Sequence, residues 1–145
     1  MSNANVKLFF DGVAEEYNNK NYAAHRRTFM SVRLTKVTDI IDSLYLPVGS
    51  MVLDAGCGPG ILTTHLCKKN WNVCAVDISE EMLRIAKASV DELFDVAIPS
   101  FKVSGIEQLP YADNTFDLVC SIGVIEYLPS YHKAIVEFYR VLKPG

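Results

Sequence analysis

Apolar residues recur at helical spacing in two stretches near the start of the chain. The first is Val6, Phe9, Phe10, Val13 and Tyr17; the second is Met30, Leu34, Val37, Ile41 and Leu44. Two N-terminal helices are predicted from this period. Pro47 and Gly49 stop the second, because proline lacks an N–H and glycine loses too much entropy in a helix. The pattern then changes. Met51 to Ala55 is a short apolar run that enters the cluster Gly56-Cys57-Gly58-Pro59-Gly60, which reads as a buried strand and a tight turn. Ile61, Leu62, His65 and Leu66 mark the next helix face, and Trp71 to Val76 is a second apolar run ending at Asp77. Ser79 offers an N-cap with Glu80 and Glu81 in the first turn, where carboxylates complement the helix dipole. That helix is predicted to run to about Phe94. Phe101 to Ser104 reads as a weak third strand and Phe116 to Ile122 as a strong fourth, and a final helix carries Ile135, Phe138, Val141 and Leu142 on one side.

Helix, helix, then strand and helix in alternation predicts an α/β fold: a parallel sheet with helices on both faces, preceded by two N-terminal helices. One domain covers 1–145, with a helical cap at 1–47 and a nucleotide-binding core at 51–145. Composition agrees. Half the residues are apolar, 21% are charged and mean hydropathy is +0.15, far from the composition of disordered chains. Fourteen Lys and Arg against 17 Asp and Glu give a net charge of −3, so no basic excess predicts a nucleic-acid partner. No apolar run approaches the roughly 20 residues of a membrane span, and no secretory leader is read at the N-terminus. Cys57, Cys67, Cys74 and Cys120 form no C-x-x-C pair, and His25, His65 and His132 have no H-x-x-x-H spacing. No metal site is predicted. Cysteines inside apolar runs act as small hydrophobes, and a reduced, cytoplasmic setting fits them.

In a parallel α/β sheet, ligands bind outside the carboxyl ends of the strands where strand order reverses. The unusual residues of this chain fall at such ends. Glycines after the first strand let the backbone turn and approach a ligand closely. Asp77 ends the second strand 21 residues after Gly56, where a carboxylate accepts from two ribose hydroxyls. Together they describe a pocket for an adenosine-type nucleoside. Asp54 separates nucleotide classes. An acid two residues before Gly56 suits a cationic ligand better than a pyrophosphate, and Ile61 stands where a dinucleotide fingerprint has its third glycine. S-adenosylmethionine, with a sulfonium and an ammonium, fits this turn; NAD does not.

Val52-Leu53-Asp54-Ala55-Gly56-Cys57-Gly58-Pro59-Gly60 resembles motif I of class I S-adenosylmethionine-dependent methyltransferases, and Val76-Asp77-Ile78-Ser79 resembles their acidic motif. Leu109 to Val119 is similar to the run into their fourth strand, and Ile125 to Pro129 and Val141 to Gly145 to the stretches around the following helix. Phe10-Asp11 to Tyr17-Asn18 is similar to the N-terminal segment of the small-molecule branch that includes quinone-biosynthesis methyltransferases. The resemblance covers nearly the whole chain and implies a Rossmann-like sheet, S-adenosylmethionine as cofactor and a small-molecule methyl acceptor. It implies that the backbone of Ala55, Gly56 and Cys57, within the turn that ends at Gly58 and Gly60, meets the methionine part and that Asp54 supports the turn. Asp77 would take the ribose, Ile78 an adenine wall, Gly105 and Ile106 the adenine edge, Ser121 the floor beneath the methionine part, and Tyr17 the cover. Gly105 stands where many relatives carry an Asp for the adenine amino group.

Methyl transfer from a sulfonium is an in-line displacement in which placement and desolvation supply most of the rate, so no catalytic residue is assigned. His25, Glu126, Tyr127 and Tyr17 are candidates, each with a plainer reading: a solvated helix residue, a surface or capping acid, a packing aromatic and a cofactor contact. Arg26, Arg27 and Arg33 read as a solvated face before they read as partners of an acidic substrate. The alternative to an enzyme is a non-catalytic domain of this fold that binds the cofactor or serves as an interaction scaffold. The resemblance also implies a fifth parallel strand and an antiparallel pair beyond Gly145, so these C-terminal strands of the family are missing here. The chain is then expected to associate with itself through the exposed edge of its fourth strand, or to be a truncated piece of a longer enzyme.

Overall fold

The computed structural model describes residues 2–22, 28–92 and 98–145. Two helices come first, α1 (Asn3–Tyr22) and α2 (Phe29–Asp42). The core follows as β1 (Met51–Ala55), α3 (Ile61–Cys67), β2 (Asn72–Asp77), α4 (Glu80–Asp91), β3 (Ser100–Val103), β4 (Leu118–Cys120), a 3₁₀ turn η1 (Ile125–Tyr127) and α5 (His132–Val141). The sheet order is β3-β2-β1-β4 and every pairing is parallel. The chain builds outward from β1 to β3, then returns to the other side of β1. The crevice between the carboxyl ends of β1 and β4 is therefore the point where strand order reverses. This is the Rossmann-like arrangement expected from the alternation.

Side chains on β1 and β2 alternate between two buried faces. Leu53, Ala55, Cys74 and Val76 pack with Ala134 and Val141 of α5 and with Phe116. Val52, Val73 and Cys120 face the other way, against Ile41 of α2, Leu62, Leu66 and Cys67 of α3, and Trp71. Because both faces are covered, these strands are apolar without a break. Asp54 is the exception among their buried residues and stands on the α3 face.

Local chemistry fixes the helix starts. Thr28 caps α2 in a reciprocal box with Ser31, the Ser31 N–H donating to Thr28 Oγ1 at 3.1 Å and the Thr28 N–H to Ser31 Oγ at 2.9 Å. Ser79 caps α4, accepting from the Met82 N–H at 3.1 Å. That cap is shared with α1: Ser79 Oγ donates to Asp11 Oδ1 at 2.7 Å, and the Glu81 N–H reaches the same oxygen at 3.4 Å. Lys7 bonds Asp11 at 2.8 Å and Glu80 at 3.2 Å, and Arg84 bonds Glu15 at 2.9 Å. The first helix is thus latched across the start of α4, directly after Asp77.

The differences from the sequence reading have physical causes. Strand β4 is shorter than Phe116–Ile122: in its register with β1 Phe116 falls level with Ser50, before β1 begins, and bridges Leu142 on the other edge, the Phe116 N–H donating to the Val141 carbonyl at 2.9 Å and the Lys143 N–H to the Phe116 carbonyl at 2.9 Å. Past Cys120 the chain leaves the sheet to enter η1. The expected end of α4 near Phe94 lies outside the described residues, as do His25, Arg26 and Arg27.

Candidate functional site

One cavity opens over the carboxyl ends of β1, β2 and β4 and encloses about 930 Å³ of empty space counting its open mouth. Of the residues singled out from the sequence, Tyr17, Asp54, Gly56, Cys57, Gly58, Asp77, Ile78, Gly105 and Ile106 line it. Ala55 is buried with its side chain on the α5 face of β1, and neither Gly60 nor Ser121 reaches the cavity. Ser121 Oγ is buried without a hydrogen-bond partner among the described residues. Of the candidates for chemistry, Tyr127 lines the cavity, whereas Glu126 pairs with Arg33 at 3.0 Å. Arg33 also stacks 4.6 Å from the Phe29 ring centroid.

The three glycines of the turn do different work. Gly56 has φ +79°, and a Cβ there would overlap a methyl of Val124, so a protein side chain from beyond β4 fills the space expected for a ligand. Gly60 has φ +81° and a Cβ there would strike the backbone of Ala86 at 2.8 Å, which sets how closely the start of α3 packs on α4. A Cβ on Gly58 would meet no atom within 4 Å, so packing does not require glycine there. Its N–H instead donates to Asp77 Oδ2 at 2.8 Å, while the Ser79 N–H donates to Oδ1 at 2.9 Å. Asp77 is therefore locked in place by backbone from two loops, and each oxygen retains a second acceptor direction.

Asp54 is 2% exposed, and its Oδ2 accepts from Thr63 Oγ1 of α3 at 2.7 Å. Burial pushes its pKa up to about 7, the Thr63 hydroxyl opposes the rise and the charge of Asp77 adds to it. Burial likewise raises Asp77, against the N–H groups of Ser79, Gly58 and Ile78. Two acids that resist ionisation thus face one cavity, an arrangement typical of functional sites and one that favours a cationic ligand.

Several lining residues lay beyond the sequence reading. Asn3, Val6, Phe10 and Tyr22 come from α1 and Leu34 from α2, while Ile122, Gly123, Val124 and Leu128 follow β4. The Asn3 amide nitrogen lies 3.6 Å from where a Cβ on Gly105 would be, which puts an amide beside that loop. No spacing rule connects residue 3 to residue 105. Phe10 was visible as an apolar helix position, but its contact with Tyr127, 5.0 Å between ring centroids, exists only in the fold. Among the described residues no group of three or more His, Cys, Asp or Glu side chains is arranged to hold a metal ion, and no helix is long and apolar enough to cross a membrane.

Residues 53–145 match the family described as "Methyltransferase domain". The ubiquinone/menaquinone biosynthesis C-methyltransferase of Rickettsia felis is 34% identical over 146 residues, covering 96% of this chain and 56% of that protein. The demethylmenaquinone methyltransferase of Lactiplantibacillus plantarum is 33% identical over 144 residues, covering 97% and 59%. The chain thus spans a little over half the length of these relatives. The crystal structure of the [4+2]-cyclase SpnF matches all of this chain and 58% of its own at a TM-score of 0.84 and 24% identity, a likeness of fold. Magnesium protoporphyrin IX methyltransferase of Synechocystis PCC 6803, solved with bound SAH, matches 85% of this chain and 59% of its own at a TM-score of 0.70 and 26% identity.

Two outcomes are expected. Gly56→Ala destabilises the protein by about 2–4 kcal/mol, combining overpacking with the left-handed backbone. Adding Val124→Ala restores the packing part. Urea midpoints of the two single variants and the double variant check this, and strictly additive losses contradict the contact. The second concerns Asp54. Between its ordinary pKa of 3.8 and about 7, the unfolded chain has released a proton that the folded chain keeps, so Asp54 lowers stability as pH rises through that window. Asp54→Asn removes this loss. Its stability relative to the parent should increase from about pH 4 to pH 7 and then level off; a difference independent of pH contradicts the assignment.

Proposed function

Because the chain belongs to the methyltransferase-domain family, we propose that it binds S-adenosylmethionine in the crevice between β1 and β4 and transfers the methyl group to a small-molecule acceptor. The observation that carries this reading is a pair of carboxyls, Asp54 buried and Asp77 half-buried, facing one cavity beside a glycine turn at the reversal of strand order. A pyrophosphate would meet like charge there, whereas an ammonium and a sulfonium offset it. The fold alone does not name the reaction.

On this reading the backbone of Ala55, Gly56 and Cys57 carries the methionine part, with Asp54 behind it and Ser121 beneath. Asp77 is already oriented by Gly58 and Ser79, and its remaining acceptor directions suit two ribose hydroxyls. Ile78 walls the adenine, and Gly105, Ile106 and the Asn3 amide meet its edge. Gly60 supports the turn from below. Tyr17 covers the site from α1, which Asp11 holds across α4. When bound, S-adenosylmethionine supplies a methyl group on a sulfonium, an excellent leaving group. The chain's part is to orient the acceptor and to exclude water: Phe10, Tyr17, Leu34, Tyr127 and Leu128 form an apolar, aromatic wall. Transfer breaks the sulfur–methyl bond, forms a bond from the acceptor atom to the methyl carbon and releases a proton from the acceptor. The named activities of the Rickettsia and Lactiplantibacillus relatives and this aromatic wall support a quinone-type ring as acceptor.

The same reading places the protein in the cytoplasm without a nucleic-acid partner, supported by four unpaired, buried cysteines and the acidic charge balance. Self-association along β4 is part of it: among the described residues this strand pairs with β1 alone, and the bridge from Leu142 reaches Phe116, just before the strand. Light scattering over a concentration series should show the mass rising toward a dimer; a constant monomer mass removes this proposal. For the cofactor, Asp77→Ala should weaken S-adenosylhomocysteine binding by about 1.5–3 kcal/mol, the range for hydrogen bonds to a charged group. Calorimetric titration measures it. An unchanged dissociation constant would falsify the ribose assignment, and a parent protein that does not bind at all overturns the reading itself.

A further inference from the structure

We propose that Asn3, at the start of α1, selects the base of the cofactor by accepting a hydrogen bond from the 6-amino group of adenine. The proposal deepens the S-adenosylmethionine reading and rests on it. With the methionine part over the β1 turn and the ribose on Asp77 of β2, the base extends over the end of β3, because the sheet order is β3-β2-β1-β4. Asn3, Ile78, Ser104, Gly105, Ile106 and Glu107 line the cavity at that end. Asn3 reaches it because α1 crosses the strand ends: Asn3, Val6, Phe10 and Tyr17 line the cavity at helical spacings of three, four and seven residues, which is one face of the helix.

The loop after β3 leaves a space open. Gly105 is not among the residues with positive φ, and a Cβ on it would meet two atoms within 4 Å, Asn3 Nδ2 at 3.6 Å and Ile78 Cδ1 at 3.8 Å. Both are ordinary contacts, so neither the backbone nor packing requires glycine there. The missing side chain leaves room between an apolar wall and an amide. A flat base with a polar edge needs that combination, apolar contact for its face and a placed polar group for its rim.

Hydrogen bonds sort the acceptors at this end. The Gly105 carbonyl accepts from Ser104 Oγ at 3.1 Å and from the Gln108 N–H at 3.4 Å, so both of its acceptor directions are taken. Ser104 Oγ also lies 3.0 Å from the Gln108 carbonyl, and the Ser104 N–H donates to the Asp77 carbonyl at 2.9 Å. Glu107 lines the cavity but does not come within 4 Å of the space at Gly105. The Asn3 amide makes no hydrogen bond to the described residues. Capping of α1 falls to Ser2 instead, whose Oγ accepts from the Asn5 N–H at 3.4 Å and whose carbonyl accepts from the Val6 N–H at 3.0 Å. Rotation about the Asn3 Cβ–Cγ bond turns its oxygen toward a donor, and adenine presents one at its 6-amino group. A base without that group leaves the oxygen unmatched. Asn3 is therefore a specificity-determining residue, carried by the helix that covers the site.

Calorimetric titration compares S-adenosylhomocysteine with an analogue carrying purine in place of adenine, which lacks only the 6-amino group. The parent should bind S-adenosylhomocysteine about fivefold more tightly, the scale of one hydrogen bond between neutral groups. Asn3→Ala should remove that preference by weakening S-adenosylhomocysteine alone. Asn3→Asp keeps an acceptor in place and should retain the preference; Ser2 still caps α1 in both variants. A parent that binds neither compound overturns the methyl-transfer reading together with this proposal. A parent that binds both equally keeps that reading and overturns the proposal. Equal losses for the two compounds in Asn3→Ala, the mark of a residue that only seats the helix, also overturn it. So does a preference that survives Asn3→Ala and is lost in Glu107→Ala.

Discussion

Between β1 and α3 the backbone passes through a gap bounded by Val124 on one side and by the Ala86 backbone of α4 on the other. No Cβ fits at Gly56 or Gly60, and both residues adopt left-handed angles that side chains resist. The other features of the site follow from that passage. It brings the Gly58 N–H to Asp77, lets α3 begin close enough for Thr63 to reach Asp54, and seats the loop after β4 against the turn. That loop is held from outside as well: a Cβ on Gly123 would lie 2.7 Å from the Met30 methyl of α2, and Arg33 pairs with Glu126.

Withdrawing the Asp54 carboxyl fully and the Asp77 carboxyl partly from water is unfavourable for a folded chain, and the structure offsets it unequally. Asp77 receives backbone N–H groups on both oxygens, whereas Asp54 has the Thr63 hydroxyl and little else. A carboxyl with few partners in a low-dielectric site resists ionisation, which is why Asp54 sits so far above the ordinary carboxylate value. Stability is given up at the site where a cationic ligand would restore it. Such local conflict between folding and chemistry is characteristic of binding sites.

The N-terminal helix converts an open crevice into an enclosed cavity. Its attachment is polar: Asp11 shares the α4 cap with Ser79, and Lys7, Glu15 and Arg84 add partly exposed ion pairs, each of modest strength. Its inner side is aromatic and meets Tyr127 from the far end of the chain. A cover fixed by exposed polar contacts, over a wall fixed by ring packing, leaves the interior shape more strongly determined than the attachment.

The alternation of short apolar runs with helical periods was enough to determine a parallel sheet, because strands buried on both faces must be continuously apolar and helices that cover them must be amphipathic. Asp54, the glycine turn and Asp77 were legible for a similar reason: an acid or a glycine at a strand end breaks a local pattern and so stands out. Ser79 was legible as a cap, but its second partner Asp11 was not, since 68 residues separate them. Gly56 was read as room for a ligand, and only the fold revealed Val124 in that space. The extent of β4 was overestimated because its pairing is limited by the register with β1, which matches Leu118 to Val52 and Cys120 to Asp54. Asn3, Tyr22 and Tyr127 obey ordinary helix and turn patterns. Their meeting at one cavity was decided by packing between distant segments, which leaves no period in the sequence.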